Sequence, residues 1–93
     1  MNKKKSVHAI ISGRVQGVFF RMETRRAAER FGVNGWVKNR LDGTVEAVFE
    51  GESEKVDQVA DWCKKGPPMA SVSDIKIDEI GYTGEYMDFS IRS

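Results

Sequence analysis

The period of the apolar residues changes along this chain in an order that few folds accommodate. Val7, Ala9 and Ile11 alternate with His8, Ile10 and Ser12, so residues 7–12 read as a strand. Phe20, Thr24, Ala27, Ala28 and Phe31 then recur at helical spacing. Residues 22–31 read as a helix, and Gly32 is its natural end. Alternation returns over residues 35–40, with Gly35, Val37 and Asn39 on one face and Trp36, Lys38 and Arg40 on the other. Leu41-Asp42-Gly43 signals a turn, and residues 44–50 alternate again, with Val45, Ala47 and Phe49 together. Val56, Val59, Ala60 and Cys63 mark a second amphipathic helix, with Ser53 as its expected N-cap and Gly66-Pro67-Pro68 as its stop. Residues 72–80, carrying Ile75 and Ile77, form a fourth strand. Met87, Phe89 and Ile91 alternate in a short last one.

That order is β-α-β-β-α-β with a strand appended. It predicts an α+β, ferredoxin-like sandwich: an antiparallel sheet with two helices on one face. Ninety-three residues suffice for one domain, spanning 1–93, with residues 1–6 expected as a flexible lead. One cysteine, Cys63, makes no intramolecular disulfide, so the core must hold the fold. A net charge of +1 gives no strong drive toward nucleic acid. No apolar run approaches the ~20 residues of a membrane helix, and none follows the basic residues at positions 3–5. The expectation is a cytoplasmic monomer with no nucleic-acid or membrane partner.

Between the first strand and helix lies Gly13-Arg14-Val15-Gln16-Gly17-Val18-Phe19-Phe20-Arg21. The two glycines let the backbone turn tightly. The amides of Val15, Gln16, Gly17, Val18, Phe19 and Phe20 could converge on one oxyanion at the helix N-terminus. Arg21, in the first helical turn, adds a fork of donors suited to phosphate or carboxylate. On residue types alone, the same run also reads as a plain strand-to-helix connection with a surface arginine.

Asn39 shares a strand face with Val37 and lies near that strand's end, where an amide could orient a water. Taken by itself, it reads first as a hairpin residue. His8 has no partner motif that marks it as a base. Cys63 lies on an apolar helical stripe and reads as a small core residue. The first loop has no cysteine pair, which argues against a metal carrier. No segment has the basic and aromatic pattern of an RNA-binding plait.

The loop run, taken with Gly35-Trp36-Val37-Lys38-Asn39 and Asp42-Gly43-Thr44-Val45-Glu46, closely resembles the acylphosphatase family over nearly the whole chain. The chain ends Phe89-Ser90-Ile91-Arg92-Ser93, where that family often ends in tyrosine. The resemblance implies hydrolysis of a small acyl phosphate to a carboxylate and phosphate, without metal or cofactor. It also implies that Arg21 binds the phosphate, Asn39 orients the water, and the amides of residues 15–20 form the cradle. The alternative is a plait domain that binds phosphate or an acyl phosphate without turnover, or one that binds RNA.

Overall fold

The computed structural model describes residues 3–93. Its elements run β1 (Lys4–Arg14), α1 (Phe20–Phe31), β2 (Asn34–Asn39), β3 (Val45–Glu52), α2 (Ser53–Lys65), β4 (Ser71–Ile80) and β5 (Phe89–Arg92). They form one five-stranded sheet in the order β4-β1-β3-β2-β5. The four longer strands pair antiparallel, as the sandwich pattern predicts. β5 pairs parallel with β2, so the sheet is mixed.

Both helices cover one face. Val7, Ala9 and Ile11 of β1 meet Val37 of β2 and Val45, Ala47 and Phe49 of β3 there, all nearly inaccessible. α1 adds Phe20, Ala27 and Ala28; α2 adds Val56, Val59 and Cys63. The Phe20 and Trp62 rings, 5.8 Å apart, join the helices, and Phe49 stacks on Phe89 of β5 at 5.6 Å. Phe89 thus fastens the short last strand to the core.

β1 begins earlier than expected and takes in the second half of the supposed lead. Lys4, Lys5 and Ser6 pair with Glu52, Gly51 and Glu50, and Ser6 is buried. Lys5 Nζ lies 2.6 Å from Asp57 Oδ1, a contact that raises the lysine pKa. Met1 and Asn2 lie outside the described residues.

The same pairing explains a second difference. Ser53 is the first helical residue of α2, not its cap; Glu52 holds the cap position without a side-chain bond. The Ser53 N–H donates instead to the Lys3 carbonyl at 2.8 Å, so a neighbouring strand serves where a hydroxyl was expected. α1 ends as its sequence suggests: Gly32 is left-handed, and Val33 N–H donates to the Ala28 carbonyl at 2.8 Å.

Met87 does not join β5 and is almost fully exposed. The segment before β5 is pinned to the sheet face opposite the helices. Trp36 Nε1 donates to the Tyr86 hydroxyl at 3.2 Å, and Asn34 Nδ2 donates to the Tyr86 carbonyl at 3.0 Å. The Tyr86 N–H donates to the buried Glu50 carboxylate at 3.3 Å. Alternation therefore resumes only at Phe89, where the chain enters register with Gly35.

Candidate active site

The turn from β1 into α1 leaves its donors free. Among the described residues, the N–H groups from Gln16 to Met22 donate to no backbone carbonyl; the first bond of the turn is Glu23 N–H to the Phe19 carbonyl, 3.0 Å. Gly17 is left-handed, with φ 74°. Phe19 is left-handed too, with φ 65° and ψ 21°, an uncommon conformation for a bulky residue. A run of free amides at a helix start favours an anion.

Arg21 follows in the first turn of α1, half-buried. Among the described residues it has no carboxylate partner within 4.0 Å. Asn39 ends β2 opposite Val45. Its Oδ1 is buried and has no hydrogen-bond partner among the described residues. A buried carbonyl left unpaired costs about 1–3 kcal/mol, so its persistence calls for an explanation.

These groups border one cavity of about 280 Å³, lined by Val15, Gly17, Phe19, Phe20, Arg21, Met22, Asn39 and Ile91. Six of the residues singled out from sequence meet there. Gln16 and Val18 do not line it. Val18 is buried in the core. The Gln16 side chain turns to the β2–β3 hairpin and donates to the Arg40 and Thr44 carbonyls at 2.8 and 2.9 Å. That hairpin is held by Arg40 N–H to the Thr44 carbonyl, 2.8 Å, and by the Asp42 carboxylate, which accepts from Thr44 N–H and Oγ1–H. These Thr44 bonds hold the Asp42 pKa below its ordinary value.

Met22 and Ile91 are cavity residues that the sequence reading did not single out. Met22 lies off the buried stripe of α1, directly after Arg21, and that position was the available signal. Ile91 comes to the site only through the pairing of β5 with β2.

The other reactive side chains lie elsewhere. His8 is on the open sheet face and shares a 2.7 Å hydrogen bond with Glu46. Cys63 is buried in the core, which pushes its thiol up to about 12 and keeps it from serving as a nucleophile. Among the described residues, no three His, Cys, Asp or Glu side chains are grouped to hold a metal ion.

The acylphosphatase family model matches residues 7–91. An acylphosphatase of Syntrophus aciditrophicus is 55% identical over 87 residues, covering 94% of this chain and 91% of its own. One from Pelotomaculum thermopropionicum is 52% identical over 84 residues, covering 90% of this chain and 91% of its own. The solved acylphosphatase of Coxiella burnetii superposes with a TM-score of 0.92 at 42% identity, covering 98% of this chain and 94% of that one.

Proposed function

The chain belongs to the acylphosphatase family and is an acyl phosphate hydrolase, and from that premise we propose that Arg21, Asn39 and the loop amides carry the reaction. The phosphoryl group sits in the cradle formed by the loop backbone between Val15 and Phe20, of which Val15, Gly17, Phe19 and Phe20 border the cavity. Arg21 holds two of its oxygens with the guanidinium fork. Asn39 Oδ1 accepts a hydrogen bond from a water and aims its oxygen at phosphorus.

The water attacks in line. A bond forms from its oxygen to phosphorus as the bond from phosphorus to the acyl oxygen breaks, and the carboxylate leaves with that electron pair. The water's proton passes to a phosphoryl oxygen, so no side-chain base is required. The carboxylate is a good leaving group, so no strong acid is required either. The protein's part is positioning and stabilising charge on the phosphoryl oxygens, which is most of what phosphoryl transfer asks of a catalyst.

The observation that carries this reading is the unpaired, buried Asn39 Oδ1 in one cavity with a guanidinium that has no carboxylate partner among the described residues. Each gains a partner when water and phosphate bind. We take residues 1–93 to work as one domain, its two helices and five-stranded sheet sharing a single core, and as a monomer in the cytoplasm. Among the described residues, no helix is long and apolar enough to cross a membrane.

Steady-state hydrolysis of benzoyl phosphate, with chelator present, tests the assignment. Arg21→Ala and Asn39→Ala should each lower kcat by about 10²–10³. An Asn39→Ala variant with full kcat would remove the water-orienting role. No turnover by the parent, with Arg21-dependent phosphate binding, would leave a binding domain.

A further inference from the structure

Three large apolar side chains border the cavity and stay exposed: Phe19 at 64%, Met22 at 47% and Ile91 at 38%. They come from three elements: the loop's last residue, the first turn of α1 and the edge strand β5. Scattered exposed apolar residues are ordinary, but three converging on one cavity beside a charged site are not. None of them is spent on the core, which closes over Phe20, Thr24, Ala27 and Phe89 instead. Phe19 also holds a left-handed backbone that Gly or Asn would adopt at lower cost. Its ring therefore brings the fold little and is available to a ligand.

We propose that Phe19, Met22 and Ile91 form an acyl-binding wall, and that the preferred substrates are phosphates of hydrocarbon acyl groups rather than of acetyl-sized or charged ones. The inference rests on the hydrolase reading above and names its substrate class. In an in-line displacement the acyl oxygen departs on the side of phosphorus away from the water, so the acyl group lies outside the ring of donors. The cavity, about 280 Å³, exceeds what a phosphate alone fills. Among its described lining residues, Arg21 is the one charged side chain, and it is engaged by the phosphate. An acyl group with its own carboxylate or ammonium would find no charge partner there, whereas a methylene chain would remove Met22 and Ile91 from water. Methionine, unbranched and polarizable, adapts to chains of different length.

The test is a series of acetyl, butyryl and hexanoyl phosphate. Their carboxylate leaving groups have nearly the same basicity, so changes in kcat/KM report contacts rather than chemistry. In the parent, kcat/KM should rise about two- to fourfold per added methylene until the wall is covered. In Met22→Ser and in Ile91→Ser, both at exposed positions, the butyryl-to-acetyl ratio should fall toward one. The inhibition constant for inorganic phosphate, which has no acyl group, should move less than threefold. A flat series in the parent, with hydrolysis intact, would overturn the wall and leave the hydrolase reading standing. A slope that survives in both variants would overturn it as well. No hydrolysis of any member by the parent would overturn both.

Discussion

Gln16 Nε2 donates to the Arg40 carbonyl at 2.8 Å across 24 residues of sequence. With its second bond, to the Thr44 carbonyl, it ties the loop between β1 and α1 to the hairpin that follows Asn39. One side chain thereby links the two parts of the site proposed to hold the phosphate and to orient the water. Gln16→Ala should lower kcat/KM for benzoyl phosphate by about ten- to a hundredfold, because small displacements of bound groups cost that much. Gln16→Glu should do no better, since a carboxylate would face two carbonyl oxygens with no proton to donate. Thermal unfolding of both variants separates this from collapse of the fold: the stability loss should stay near 1 kcal/mol.

Asn39 predicts a trade between stability and activity. Its Oδ1 is buried and has no hydrogen-bond partner among the described residues, which costs the fold stability. Asn39→Val removes that oxygen and places a β-branched residue at a strand end. Urea unfolding should show a gain of about 0.5–1.5 kcal/mol, alongside a kcat loss of about 10²–10³. A variant both less stable and fully active would contradict the role given to this residue.

Phe19 carries strain that chemistry can relieve. Phe19→Asn keeps the left-handed turn with a residue that tolerates it, and little buried area is lost. Its free energy of unfolding should rise by about 1 kcal/mol. Its kcat/KM for hexanoyl phosphate should fall more than for acetyl phosphate.

Glu46 gives the fold an acid-sensitive contact away from the cavity. The His8 hydrogen bond at 2.7 Å is the main reason its carboxyl titrates below the ordinary value of 4.5. A carboxyl with a lowered pKa in the folded state adds stability above its unfolded pKa and loses it as pH falls through the folded one. In unfolding free energies measured from pH 6 down to pH 3, Glu46→Gln should start lower than the parent and fall less steeply.

The sequence made the plait legible because each element has a clean period. Val7, Ala9 and Ile11 share a buried face as their alternation requires, and the stripe of α2 falls on Val56, Val59, Ala60 and Cys63 as read. The loop and the strand face of Asn39 were legible for the same reason: glycine spacing and period two are local. What depended on distant partners was not. Gln16 read as one more cradle amide because its acceptors are carbonyls of a hairpin far along the chain. Lys4, Lys5 and Ser6 read as a loose end because their charge is local and their pairing with β3 is not. The alternation of Phe89 and Ile91 marks a strand but carries no sign of its direction or its neighbour.

β5 divides two duties within four residues. Phe89 is locked into the stacked interior, while two residues on, Ile91 stands at the margin of the sheet with a single neighbouring strand. The loop between β1 and α1 is tied to the β2–β3 hairpin through Gln16, whereas one part of the pocket rim hangs from a short outer strand, the kind of segment whose opening is easiest. On the proposed roles, tolerance toward different organic tails and rigidity toward the phosphate can coexist in a chain this small, because one rests on an edge strand and the other on a loop tied to a hairpin.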